Sequence, residues 1–378
     1  MVLEIYPYLD GKSIKKVESL FPVKIRNYYD LFFSNQIFKC YINEKNYFKG
    51  HYYLNCQSKD LTEFWDYYFE KDDTFIRQLE NLNQLLITST VKVADVKGCL
   101  PVILKYLNDE ADIASLAHFL DEISDVFTYR NTLFLEALNL KIDRINQNIN
   151  FNIMNTIAKW LKKKSKTLTD QAIVQEINTA IKRAIYKEIQ TIYNQRRANK
   201  SPRLSVMYCY LQTACYPYKY RYDTNGDFIV PYGGTTYNEL NFEDQLIYLK
   251  SNSSLFNGTV SCRDYAGYLQ SIEDKVTADD FISAIPPVNT DTLSYNKLPF
   301  NADNEKHLFS LLKDIKCRFL LVLNKSEFTT SIKEHTNLKI VNIRSKYPFI
   351  SKDQHTTKEQ KVIIKNYPDL KLKCNTKC

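Results

Sequence analysis

Apolar and polar positions alternate along the chain in three regimes. Over the first 86 residues two periods are mixed. Ile14, Val17, Leu20 and Phe21 recur at helical spacing, short aromatic-rich runs at 28–33 and 51–54 read as strands, and Leu61, Phe64, Trp65, Tyr68 and Phe69 line one face of a helix predicted over 60–86. From about 87 to 200 the spacing is helical throughout, in ADIASLAHFLDEISDVF, NTLFLEALNLKIDRINQNI and AIVQEINTAIKRAIYKEIQTIYNQ. Beyond 203 an apolar helix, SVMYCYLQTACY, runs into a polar, tyrosine-rich loop. Strand and helix patterns then alternate: a helix in FEDQLIYLKSN, strands in FNGTVSCRDY and DDFISAIPPV, a helix in NEKHLFSLLKDI, a buried strand in CRFLLVLNKS, and closing strands in LKIVNIRS and QKVIIKNYP. Strand–helix alternation at both ends of a helical block predicts an open α/β sheet split by an insertion. Ligands of such sheets sit at the carboxyl ends of the strands, here after 29–33 and after 281–285. The predicted organisation is 1–86 and 251–378 as two parts of one α/β domain, 87–202 as a helical insertion with a basic end, and 203–250 as a helix and loop.

Composition narrows the classes. Of the 378 residues, 44% are hydrophobic and 25% charged, enough apolar surface for a core. No apolar run reaches the ~18 residues of a membrane span, and the first residues show no secretory leader. The nine cysteines are scattered, without CxxC and without histidines at zinc-finger spacing, so they read as reduced thiols of a cytoplasmic protein with no metal site. Glycine is scarce: eight in all, and none between Cys99 and Asn225, where 28 tyrosines and 21 phenylalanines are spread through the chain. Loops that cradle a nucleotide need backbone free of Cβ atoms. DGKS near the start fails as a phosphate loop, because the required first glycine is Tyr6.

Net charge is +8, and its distribution is uneven. The segment 160–203 holds KWLKKKSK, IKRAIYKE and NQRRANKSPR, a basic stripe of the kind that meets nucleic acid, with a solvated helical face as the plain alternative. Candidate phosphate contacts are Lys162, Lys163, Lys164, Arg196, Arg197 and Lys200. In the following loop Lys219, Tyr220, Arg221 and Tyr222 combine cations with rings that can stack on bases.

The stretch SPRLSVMYCYLQTACYPYKYRYDTNGDFIVPYGG resembles the Dam-type adenine-specific DNA methyltransferases. There an apolar helix leads into a loop N-x-x-x-x-N-G-x-x-R-Y-N-x-x-G-x-F-N-V-P-x-G that lies against DNA. Arg221, Tyr222, Gly226, Phe228, Val230, Pro231 and Gly233 fall on that pattern, while two family asparagines are replaced by Asp223 and Ile229. The resemblance extends outside 87–200 in family order and implies a Rossmann-like methyltransferase sheet interrupted by a helical insertion. It also implies a cofactor site that is degenerate here. Of the K-W-A-G-G-K box only Gly11 and Lys12 remain. The E-P-F-x-G-x-G loop falls on Asp30–Gln36, with both glycines replaced, by Ser34 and Gln36. The ribose-holding acid of N-D-I-N falls on Cys56. The catalytic D-P-P-Y falls on Ile285, Pro286, Pro287 and Val288. In the family that Asp and a backbone carbonyl accept hydrogen bonds from the adenine amino group, and the Tyr stacks on the flipped base. Isoleucine accepts nothing and valine has no π face.

The resemblance therefore implies a catalytically inactive methyltransferase-like protein without bound S-adenosylmethionine. It would act as a nucleic-acid-binding or scaffolding subunit, on DNA rather than RNA, alone or with another protein subunit, and not at a membrane. Two alternatives stand beside it. One is an active, divergent S-adenosylmethionine-dependent enzyme. The other is a structural component of a large DNA virus particle, placed in the virion or at a viral replication site.

Overall fold

The computed structural model describes residues 11–22, 24–33, 50–56, 58–98, 100–108, 110–163, 168–196, 199–216, 222–251, 256–286, 300–332, 338–344 and 360–368. The chain divides into two compact units, a helical one (70–219 and 227–251) and a sheet-bearing one (2–69, 220–226 and 252–378).

The sheet-bearing unit holds β1 (Tyr28–Asp30), β2 (Tyr52–Cys56), β3 (Gly258–Cys262), β4 (Phe281–Ala284), β5 (Arg318–Asn324), β6 (Lys339–Arg344) and β7 (Gln360–Lys365), in the order β3-β2-β1-β4-β5-β7-β6. β1 pairs in parallel with β2 and β4, β2 with β3, and β4 with β5, whereas β7 runs antiparallel to β5 and β6. The described strands thus form a Rossmann-like methyltransferase sheet with one reversed strand near its edge. Strand order turns back between β1 and β4, and such a turning point opens a crevice at the carboxyl ends. β5 reads RFLLVLN with five consecutive buried residues, the continuous apolar run of a strand covered on both faces.

One face packs against α11 (Tyr265–Ile272), α12 (Ala302–Lys313) and α13 (Glu327–Ser331). Tyr29, Leu31, Ile282, Ala284, Phe319 and Leu321 meet Leu269, Leu308 and Leu312 there. Tyr28, Tyr52 and Phe281, one residue out of phase, turn to the other face, where Tyr28 meets Tyr52 edge to face at 6.1 Å and Phe281 at a tilt at 6.0 Å. α1 (Gly11–Glu18) opens this unit and α2 (Lys59–Glu70) follows β2. Trp65 of α2 meets Phe33 at 5.2 Å. Gly258 is required by close approach: a Cβ there would collide with the Tyr52 carbonyl oxygen and the Phe256 ring.

The helical unit contains α3 (Asp73–Thr88), α4 (Val93–Val96), α5 (Leu100–Leu107), α6 (Ile113–Ala137), α7 (Ile142–Lys162), α8 (Asp170–Arg196), α9 (Pro202–Ala214) and α10 (Glu243–Lys250). α8 is buried on nearly every side, from Ile173 to Tyr193. Asparagines pin its neighbours. Asn178 bonds Val91 through both its amide nitrogen and its oxygen (2.9 and 2.8 Å), and Asn131, fully buried, joins Phe127 to Thr88.

Three sequence expectations change. The helix expected over 60–86 is two helices, because Lys71 takes φ 54° and Asp72 caps α3 by accepting from Phe75 N at 2.7 Å. The strand expected over 28–33 stops at Asp30, whose carboxylate accepts from Phe32 N and turns the chain. α11, which apolar spacing did not reveal, is started by Asp264, which accepts from the backbone N–H groups of Ala266 and Gly267. Among the described residues no helix is long and apolar enough to cross a membrane.

Candidate functional site

At the carboxyl end of the sheet the described residues form a closed lacework. Asn55, fully buried near the end of β2, donates to the carbonyls of Leu31 (3.2 Å) and Arg263 (2.9 Å) and accepts from Ser261 Oγ (3.0 Å) and Arg263 N (3.1 Å). One amide thereby ties the ends of β1, β2 and β3. Asp30 is the acid at the end of β1. It accepts from Tyr28 Oη (3.0 Å) and Phe32 N (3.1 Å), and burial pushes its carboxyl up to about 7 against those two bonds. Cys56 is fully buried, with its thiol 3.9 Å from the Phe33 carbonyl oxygen and raised well above the usual thiol range by burial. After β4, Ile285 and Pro286 are buried.

By the resemblance, S-adenosylmethionine would need an acceptor for its ribose at the end of β2, and the target adenine an acceptor for its amino group after β4. The described residues do not fit these needs. Cys56 is sealed and weakly polar, both polar atoms of the Asn55 amide are engaged, and Ile285 is aliphatic. Of the other cofactor-side positions, Lys12 lies on α1 and Gly11 begins it. Ser34, Gln36, Pro287 and Val288 lie outside the described residues.

The segment that carries the resemblance is built in the helical unit by three side chains one turn apart on α8. Tyr186 Oη and Gln190 Nε2 both donate to the Val230 carbonyl, at 2.8 and 3.0 Å. Asn194 donates to the Phe228 carbonyl at 3.1 Å and accepts from Phe228 N at 3.0 Å. Spacing of i, i+4 and i+8 puts these groups on one helix face, which therefore acts as an edge for an extended strand. Phe228, Val230 and Tyr232 are buried against it while Ile229, between them, is 51% exposed. Tyr216 N donates to the Pro231 carbonyl and Gly233 N to that of Ala214, closing the loop onto the end of α9. The Asn225–Gly226 turn forms as its sequence predicts, with Gly226 at φ 76° and its N–H on the Asp223 carbonyl.

The basic candidates do not form one stripe. Lys162 and Lys163 end α7 next to the start of α8, whereas Arg196 ends α8 and Lys200 follows it. The 27 residues of α8 at 1.5 Å each separate the two groups by about 40 Å. All four are exposed. Tyr222 is half-buried in the sheet-bearing unit. Lys164, Arg197, Lys219, Tyr220 and Arg221 lie outside the described residues. Three cations of the basic segment were not singled out as candidate contacts from the sequence. Arg203, in the first turn of α9, has a buried Nε with no partner among the described residues, and burial, then the nearby Arg196 charge, lowers its pKa. Arg183 and Lys187 lie on α8 beside the clamp, Arg183 close enough to act on Tyr232 and Lys187 bonded to Gln190 Oε1 at 3.1 Å. The signal was present as i, i+4 spacing along α8, but it has meaning only once the strand it grips is known.

The sheet order and the clamped loop define a methyltransferase-like protein. The sequence model of the D12 class N6 adenine-specific DNA methyltransferase family matches residues 100–348, about two thirds of the chain. The chain belongs to that family. No curated protein matches it.

Proposed function

We propose that this chain is a catalytically inactive member of the adenine-specific DNA methyltransferase family that serves as a nucleic-acid-binding or scaffolding subunit. The observation that carries the reading is the pair of buried residues at the strand ends, Cys56 and Ile285, where the family's ribose and adenine contacts require acids. An unmet charge-assisted hydrogen bond costs ~1.5–3 kcal/mol, and two such losses fall on separate parts of one site. The nucleic-acid part of the reading is supported by the family, by the clamp on 228–230, and by the cations Arg183, Lys187 and Arg196 on the same helix.

Two measurements test this. Calorimetric titration with S-adenosylmethionine should give no heat of binding, and micromolar affinity would overturn the inactive reading. Filter binding of duplex DNA across a salt series should show a slope that falls by about 0.9 for each phosphate contact removed. The variant to compare is Arg196→Ala with Arg197→Ala and Arg221→Ala. No binding at low salt, or an unchanged slope, would leave a scaffold role on other surfaces. The active-enzyme reading has one observation in its favour: Asp30 keeps an acid at the end of β1.

A further inference from the structure

A cleft of about 460 Å³ opens in the sheet-bearing unit, along one face of β1, β2 and β3, from Arg26 and Asn27 before β1 to Ser261 and Arg263 at the end of β3. Its floor follows from strand register. Tyr29 of β1 lies opposite Tyr53 of β2, which lies opposite Thr259 of β3, so these side chains share one sheet face with Ser261 two residues on. α11 borders that face on one side through Tyr268, Ser271 and Ile272. Parallel sheets are ordinarily covered on both faces. Here Tyr53 is half-buried and Thr259 exposed among the described residues.

The chemistry of the walls is one-sided. Arg26, Arg263 and Lys275 line the cleft, and among the described residues no carboxylate does. The Arg26 guanidinium is held by Asp280, at 2.6 and 2.9 Å, and also donates to the Lys275 carbonyl at 3.3 Å. Arg263 and Lys275 are exposed, and among the described residues neither forms an ion pair. Among them lies the half-buried Tyr53 ring, which stacks on the buried Tyr29 ring at 4.6 Å with an 8° interplanar angle and has the His51 ring 4.4 Å away. Hydroxyls of Thr259, Ser261 and Ser271 supply further donors and acceptors. Cations placed beside a partly exposed aromatic ring suit a ligand that joins an anionic phosphate to a planar ring. The volume falls within the ordinary range of small-ligand sites.

We propose that this cleft binds a nucleotide, with the phosphate held by Arg263 and Lys275 and the base laid against the half-buried Tyr53 ring. The nucleotide is either a free mononucleotide or one unit of a single strand. The site lies wholly in the sheet-bearing unit and does not rest on the reading of the clamped loop.

The test uses the full chain and three probes: adenosine monophosphate, inorganic phosphate and a single-stranded hexanucleotide, each followed by calorimetric titration. Arg263→Gln with Lys275→Gln removes two exposed charges without touching the core. The expected result is binding of the mononucleotide, the hexanucleotide or both, weakened about tenfold or more in the double variant and unchanged in Arg196→Ala. Binding of the hexanucleotide alone with the same loss identifies a strand as the source. Three results overturn the proposal: no binding of either nucleotide at millimolar concentration, equal affinity in the double variant, or inorganic phosphate binding as tightly as the mononucleotide. A far-ultraviolet circular dichroism spectrum of the double variant identical to wild type shows that any loss is local.

Discussion

At the scale of single residues, Lys182 and Asn55 carry the most testable chemistry. Lys182 on α8 is 1% exposed and donates to the Leu86 carbonyl oxygen and, at 2.9 Å, to Ser89 Oγ. Both acceptors lie at the C-terminal end of α3, where unpaired carbonyls and the helix dipole favour a donor. Burial nonetheless pulls the ammonium pKa down to about 7. The folded-state value is thus below the ordinary 10.5 of the unfolded chain, and between pH 7 and 10.5 the unfolded state binds the extra proton. Stability from this group therefore rises with pH across that window and is lost as pH falls toward 7. Urea unfolding at pH 7 and pH 9 should show wild type gaining about 2 kcal/mol relative to Lys182→Met over that interval. The difference in pH dependence is the readout, because the variant also leaves the Leu86 carbonyl without its donor. A parallel dependence in both proteins would mean that the amine is solvated. Asn55 offers a second check: Asn55→Ala removes four hydrogen bonds inside the core and should cost about 2–4 kcal/mol in the same assay. A loss below 1 kcal/mol would show that the strand ends do not depend on the amide.

At the scale of elements, α8 combines two roles that its sequence shows separately. Its apolar residues mark it as a central helix, and periodicity alone located it, as it located the helices around it. Its polar face was legible as a charge pattern but not as a clamp, since Tyr186, Gln190 and Asn194 acquire a common partner only when residues 228–230 return to them across the helix. The break at Lys71–Asp72 escaped for the opposite reason. Apolar spacing continues in phase from Trp65 through Phe75 to Leu82, and one left-handed residue interrupts the helix without interrupting the pattern. The basic stripe misled because sequence proximity across the turn between α7 and α8 conceals the full length of α8. If the clamp sets the loop, Asn194→Ala should speed amide exchange at Phe228 about fivefold, the equivalent of ~1 kcal/mol, and leave exchange in α6 unchanged. In hydrogen-exchange mass spectrometry, equal protection of 228–230 in both proteins would assign that rigidity to burial of Phe228 and Val230 instead.

For the whole molecule, strand identities were legible and strand order was not. Alternation located all seven strands, but nothing in a run such as CRFLLVLNKS says that β7 inserts antiparallel between β5 and β6; that arrangement is written in long-range pairing. The same long-range logic decides what repair of the site would take, because the parts that the resemblance assigns to it come from β1, β2 and β4. Ile285→Asp with Val288→Tyr restores the family's catalytic corner in sequence. It does nothing for Cys56, which remains buried under Phe33 without a charge to offer the ribose. It also places a carboxylate where Ile285 is now 7% exposed, and a buried, unpaired charge costs several kcal/mol or raises its own pKa until it is neutral. The double variant should therefore unfold at lower urea than wild type and, while still folded, transfer no methyl group to adenine in a radiolabelled assay. Adding Cys56→Asp should not rescue it, because a second carboxylate would enter the fully buried position of the thiol. Methyl incorporation above background by either variant would mean that the strand ends still hold the cofactor, and the chain would then be an enzyme lacking its catalytic pair rather than a fold put to another use.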